Sequence, residues 1–424
     1  YPSSNPQSEN HSSSSDVSSI ISQIVSSQNS QKPQHFNINN SSNSSSNSTT
    51  TSRPSSSSES SKTPSENQVK PKPPTPQTPP TPKPPTPSEP ENNTNYKTMK
   101  AVWISFLEFD SFRGSTKEVF TNRVKSYFDK SKQKGLNTVI VQVRAHGDSF
   151  FESKNYPWSR HVSGAIGKAL SYDPMEIMVK EAHARGLSFH AWINPYRTMT
   201  DSEFKSVNSS YKTKQWYTGA NNKYMIKHTD GRWWLKPGNP EVQKLIVDGA
   251  KEIAQKYPID GVHIDDYFYA TDPSTYGDTQ AQAKANTTAM VKGLYSGLKS
   301  INPKCLFGVS PAGGFGKSQS LPDSDRKYLS TDLKKWCQNA GYIDYVIPQI
   351  YWDYNHDTAG YGMVLNKWKD FVTSPSVELY SGIAAYKVNA NGIKKESIPK
   401  QIADSMNGKA NGYTIYRFDH LDDY

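Results

Sequence analysis

The pattern of apolar and polar positions changes character near residue 98. Beyond it, short runs rich in Val, Ile, Phe and Trp recur at 100–107, 137–144, 187–193, 260–265, 305–310, 344–350, 378–385 and 412–418. Between them lie amphipathic stretches of helical period at 116–134, 174–185, 239–256, 280–300, 325–340, 360–373 and 397–407. Strands separated by helices predict parallel β/α units, and eight of them predict closure into a (β/α)8 TIM barrel, an α/β fold. An open doubly wound sheet is the alternative, although no glycine-rich phosphate loop follows the first strand. Local punctuation agrees with the helices: Asn239 is placed to cap one, Pro240 to open it and Pro258 to follow its end.

Composition divides the chain at the same place. Residues 1–69 form a Ser/Asn-rich low-complexity tail, 70–98 a linker in which Pro recurs at short intervals, and 99–424 the barrel, which holds all nine Trp. The tail has too little apolar surface to offset the entropy of ordering and is expected to be disordered. The linker favours extended polyproline II, a semi-rigid spacer. Such a stalk resembles those of exported Gram-positive proteins. An extracellular or cell-surface location, attachment to the wall or membrane surface through the N-terminal region, and a monomer are the corresponding expectations. No run of about 18 apolar residues suggests a membrane span.

Most of the net charge of +10 sits in the barrel. Two readings stand: adsorption to an anionic polymer such as a bacterial wall, or a solvated lysine-rich surface. The basic residues are scattered and no nucleic-acid-binding motif accompanies them, so no nucleic-acid partner is expected. Cys305 and Cys337 are too few for a disulfide framework or a cysteine zinc site, and either pairing or two buried thiols fits. No metal or cofactor is expected. His and Asp lie close in 263-HIDD-266 and 353-DYNHD-357, but neither has the spacing of a known ligand motif. No G-x-S-x-G elbow is present for a serine triad.

The C-terminal ends of the strands are where barrel chemistry occurs, and side-chain alternation sorts lumen from helix layer. In 260-DGVHIDDYFY-269, outward Val262 and Ile264 turn His263 and Asp265 inward. The sixth strand turns Gln349, Tyr351 and Asp353 inward, the second Gln142, Arg144 and His146, and the third His190, Trp192 and Asn194. Two strands that each end in an inward Asp suggest the paired carboxylates of glycosidic hydrolysis, with Asp265 as nucleophile or charge stabiliser and Asp353 as acid. Arg144 and His146 would bind polar substituents near the cleavage point. Tyr267, Tyr269, Tyr351, Trp352, Trp158, Trp233 and Trp234 supply aromatic faces suited to sugar rings.

The segments 102-VWISFLEF-109, 141-VQVRAHGDSFFESKNYPWS-159, 181-EAHARGLSFHAWINPYR-197, 235-LKPGNPEVQKLIVDGAKEI-253, 259-IDGVHIDDYFY-269 and 345-YVIPQIYWD-353 resemble the glycosyl hydrolase-like family 10, of the YngK type, once a domain of unknown function. The resemblance covers about 99–424. It implies a TIM barrel akin to those of α-amylases and α-galactosidases, with action on a polysaccharide; some members are implicated in hydrolysing peptidoglycan strands. It implies Asp265 as the strand-four carboxylate, with Arg144, Asp148, Asn194, Arg197, His263, Tyr267 and Gln349 around the sugar. Variation after the shared PQIYW segment leaves Glu108 and Asp266 as rivals to Asp353 for the acid. The chain departs from the family at Ala145-His146, where relatives often have Pro-Asn, and at Lys236, where they often have Asn. Two other functions stay open: a silent glycan-binding barrel anchored to the wall, and an α-galactosidase-like exo-glycosidase.

Overall fold

The computed structural model describes residues 98–219, 223–316, 320–326, 330–388, 390 and 392–424. The expected tail and nearly all of the linker lie outside these residues. The barrel strands are β1 (Met99–Ile104), β2 (Thr138–Arg144), β3 (Ser188–Ile193), β4 (Gly261–Ile264), β5 (Leu306–Val309), β6 (Tyr345–Val346), β7 in two adjoining pieces (Glu378–Leu379 and Ser381–Ala384) and β8 (Gly412–Tyr416). Each pairs in parallel with the next. β1 also pairs in parallel with β8, from Met99 opposite Gly412 to Val102 opposite Ile415, which closes the ring and rules out the open sheet.

Seven crossover helices are seen among the described residues: α1 (Lys117–Gln133), α2 (Pro174–His183), α3 (Pro240–Lys256), α4 (Gln280–Ile301), α5 (Leu333–Gln338), α6 (Tyr361–Phe371) and α7 (Ser397–Asp404). The stretch expected over 325–340 is interrupted, with Asp323–Arg326 as a separate short turn before α5. Asn239 caps α3 through its side chain, accepting from the backbone N–H groups of Glu241 and Val242, and Pro240 opens the helix. A small antiparallel sheet that the sequence did not suggest, Arg197–Thr200 with Arg232–Leu235 and Met225–Lys227, stands after β3. No helix of the described residues is long and apolar enough to cross a membrane.

Alternation along the strands divides the apolar residues into two cores. Val102, Val141, Phe189, Val262, Phe307, Val346 and Ile415 join the large layer between strands and helices, whereas Ala101, Trp103, Ile140, Trp192, Tyr345, Ile347 and Tyr380 fill the lumen. Large rings fit there because small residues face them. A Cβ on Gly308 would lie 2.0 Å from the Tyr345 ring, and one on Gly261 would lie 2.6 Å from His190 Nδ1. Interior positions of a small barrel pack in this large-against-small manner.

Cys305 and Cys337 are both buried free thiols, so the pairing alternative does not hold. Burial pushes the Cys305 thiol up to about 12, which keeps it protonated and unreactive.

Gly308→Ala should therefore displace the Tyr345 ring. We expect a loss of about 1–3 kcal/mol in unfolding free energy, the usual cost of overpacking, measurable as a lower urea midpoint at unchanged slope.

Candidate active site

The lumen carries a polar layer below its mouth. His263 Nε2 accepts the Trp103 indole N–H at 3.1 Å and its Nδ1 lies 3.2 Å from the Tyr345 hydroxyl, which is also 2.9 Å from His190 Nδ1. Assigning protons along this chain makes His263 Nδ1 the donor to Tyr345 and His190 Nδ1 the acceptor from it. Burial lowers both imidazoles, His190 to about 4, so both stay neutral. His263 is inward as its parity required. With both ring nitrogens engaged by protein and no exposed surface, however, it is a support beneath the site, not the sugar contact expected of it.

Asp265 sits just past the end of β4, one step above this layer, and is 6 % exposed. Asn194 Nδ2 donates to both of its oxygens at 2.9 and 2.8 Å, the Trp192 indole N–H donates to Oδ2 at 3.2 Å, and the Tyr267 backbone N–H donates to Oδ1 at 3.2 Å. Asn194 is itself oriented by Gln142, whose amide donates to Asn194 Oδ1 at 2.6 Å. Gln142 is in turn fixed by the Phe106 backbone N–H. Arg197, stacked 4.6 Å over the Tyr267 ring, adds a favourable charge. Burial pushes the Asp265 carboxyl above its ordinary value, and Arg197, Asn194, the Tyr267 N–H and Trp192 offset only part of that rise.

Asp266, the rival acid that unbroken strand alternation would turn away from Asp265, belongs to the same site because β4 stops at Ile264. It is half-buried. Dense protein around it and the charge of Asp265 nonetheless push its carboxyl up to about 7, against the Gln349 amide and Arg197. Burial thus raises both carboxyls, but Asp265 faces four groups that favour its anion, whereas Asp266 has fewer such groups and also meets the charge of Asp265, an asymmetry that suits Asp265 to the role of base or nucleophile and Asp266 to that of acid. Gln349 is anchored at its amide by the Ser310 carbonyl. The Tyr267 hydroxyl is buried with no hydrogen-bond partner, a polar group available to a ligand.

Asp353, expected opposite Asp265, is spent elsewhere. Its oxygens accept from the backbone N–H groups of Tyr354 and Lys394 and from the Ser397 hydroxyl, at 2.7, 2.9 and 2.7 Å. Burial raises its carboxyl, but these donors and the Lys394 charge win and leave it below its ordinary value. A general acid must hold its proton, so this carboxylate serves to fasten the loop before α7. Glu108 is likewise engaged: it closes the capping box of the short helix Phe106–Asp110 through Ser105 and pairs with Arg417 at 2.7 Å. Burial raises it to about 7 in spite of Arg417, but its side chain has no exposed surface to present to a substrate.

Arg144 departs from its expected place for a traceable reason. Against β3, residues 143 and 144 of β2 together occupy one step, and this bulge reverses the alternation. Its guanidinium therefore enters the helix layer, 3.8 Å over the Tyr156 ring and beside Gly249 of α3, where a Cβ would meet the Arg144 nitrogen at 3.1 Å. Asp148 folds the following turn, its Oδ1 accepting from the N–H groups of Ala145 and His146. His146 packs on Phe106 and His161. The Arg197 Nε donates to the Ala145 carbonyl at 3.1 Å, which ties this turn to the site. Tyr351 is buried against Tyr386 and Tyr416, and Trp352 is half-buried beside His356. Trp158, Tyr269 and Trp234 are buried in the core, and Trp233 donates its indole N–H to Asp201.

Comparison with known proteins agrees with this architecture. The chain is 34% identical over 284 residues to glycosyl hydrolase DigH of Escherichia coli strain K12, covering 61% of this chain and 64% of that protein. It is 33% identical over 327 residues to glycosyl hydrolase YngK of Bacillus subtilis strain 168, covering 70% and 62%. It thus spans somewhat less than two thirds of these curated relatives. The glycoside hydrolase domain of PgaB (BpsB) from Bordetella bronchiseptica superposes with a TM-score of 0.50 at 12% identity, over 77% of this chain and 96% of that domain, a likeness of fold alone. The model of the family Glycosyl hydrolase-like 10 matches residues 98–283 and 280–398, from the first barrel strand through the seventh, and the chain belongs to that family.

Proposed function

We propose that this chain is a glycoside hydrolase of the bacterial cell surface, acting on peptidoglycan-type glycan or a related wall polysaccharide, with Asp265 as nucleophile or charge stabiliser and Asp266 as acid. The observation that carries the reading is the contrast between two adjacent carboxyls at the mouth of a barrel. Asn194, Trp192, the Tyr267 N–H and Arg197 favour the anion of Asp265 against its burial, whereas the charge of Asp265 adds to burial in pushing Asp266 up to about 7. A carboxylate with all its donors already in place needs little reorganisation when positive charge develops at an anomeric carbon. The unpartnered Tyr267 hydroxyl and the Gln349 amide are the groups offered to sugar hydroxyls. The names of the DigH and YngK relatives support hydrolysis. The wall substrate rests on the surface-display stalk suggested by residues 1–98 and on the moderately basic charge balance.

The first test is release of reducing ends from purified peptidoglycan, with and without stem peptides. Asp265→Asn is expected to bring release to background while leaving pelleting with the glycan intact. Equal release by wild type and variant would remove Asp265 from the mechanism, and binding without release by the wild type would turn the reading to an anchoring barrel.

Asp266→Asn is expected to lower kcat/KM by about 10²–10⁴-fold, the usual contribution of a general acid. Wild-type kcat/KM should fall as pH rises through about 7, where Asp266 loses its proton. Stability has its own sign. A carboxyl raised in the folded state binds its proton more tightly there than in the unfolded chain, so stability is lost as pH rises from about 4 towards 7. Asp266→Asn should therefore melt at a higher temperature than wild type at pH 8, with the gap closing towards pH 4. A variant that lost activity and melted lower at both pH values would show Asp266 to be merely structural.

A further inference from the structure

A cluster beside the site has the make-up of a metal centre. His146, Asp148 and His161 each offer a ligand atom, and these atoms lie within 4.8 Å of one another. His161 Nε2 stands 3.4 Å from His146 Nδ1. Two nitrogens bound to one zinc ion at about 2.0–2.1 Å in a tetrahedral arrangement are about 3.4 Å apart, so the rings already hold that spacing. The tautomer is set from behind: His161 Nδ1 lies 2.7 Å from Asp110 Oδ1, and an N–H donated there leaves Nε2 as the lone-pair nitrogen facing His146. Asp148 Oδ1 accepts from two backbone N–H groups, which fixes the carboxylate beside the rings.

From this the geometry points to a structural site for a divalent transition-metal ion of the zinc type, bound by His146 Nδ1, His161 Nε2 and the Asp148 carboxylate, with Asp110 orienting His161. Burial of all three ligands, at 5 %, 0 % and 1 % exposure, keeps a sugar away from the ion and makes the site structural. Asp148 and Asp110, the latter also paired with the exposed Arg113 at 3.7 Å, face the ion with negative charge. The nearby guanidiniums of Arg160 and Arg232 are both paired to Glu203, at 3.2 and 2.8 Å, and Arg197 faces Asp265. An ion here would staple three rim pieces together: the turn after β2, the short helix Arg160–Ser163 and the helix Phe106–Asp110. The Ala145 carbonyl would relay that rigidity to Arg197. The inference is independent of the proposed reaction.

The full chain is stripped with a chelator, dialysed against ZnCl2, desalted and analysed for metal, and in parallel loaded with CoCl2. One zinc per chain, the intense visible bands of tetrahedral cobalt and a raised melting temperature are expected. His146→Asn should abolish all three with an unchanged far-ultraviolet spectrum, and Asp110→Asn, altering a partly exposed residue, should weaken zinc binding about 10–100-fold. Wild-type zinc below a tenth of an equivalent, or equal binding by wild type and His146→Asn, would overturn the site and leave the cluster as a metal-free chain of hydrogen bonds.

Discussion

A closed ring of eight strands must fill its own lumen, and how it does so here governs everything above. Trp103, Tyr345, Tyr380 and Trp192 occupy that space, and Gly261 and Gly308 open it for the neighbouring rings. Rings that size bring polar atoms with them, and in so dry a place each needs a partner. The result is the chain from Trp103 through His263 and Tyr345 to His190. Trp192 spends its one donor on Asp265. The packing solution of the barrel is thus also the first layer of support for its carboxylate.

From that floor the site is assembled outward by amides more than by charges. Phe106, Gln142, Asn194 and Asp265 form a relay of hydrogen bonds that crosses three strands. Among the described residues Arg197 is the cation that acts on Asp265, and it is steadied by the Tyr267 ring and the Ala145 carbonyl. Fixed dipoles of this kind stabilise an anion without drawing it into a tight ion pair, which leaves a carboxylate able to respond to charge that appears in front of it.

The strands, their order and nearly all the crossover helices were legible from periodicity, because a two-sided buried strand and a one-sided helix leave different spacings. The lumen phase of His263, Asp265 and Asn194 followed from the same rule. The errors have local causes. Alternation assumes an unbroken strand, so the bulge at residues 143 and 144 sent Arg144 to the wrong layer. The premature end of β4 made Asp266 a partner where parity would have turned it away. Asp353 looked catalytic by position, since sequence does not show that Lys394 and Ser397 fold back to claim its oxygens. The small sheet after β3 was missed because its strands are three or four residues long. The grouping of Asp110, His146, Asp148 and His161 has no signature in the sequence, for it is made by loops that meet in space.

The bulge in β2 separates two jobs that a regular strand would have to share. Below it, residue by residue, β2 is bound to the geometry of the ring and tolerates little. Above it, the chain is released from that phase, and the turn that carries His146 and Asp148 is placed by its own hydrogen bonds instead of by the ladder. The Ala145-His146 pair lies on that side of the joint, and through the Ala145 carbonyl the turn sets the pitch of Arg197 over the carboxylates. The shape of the mouth is thus governed from a segment that the staves beneath do not dictate.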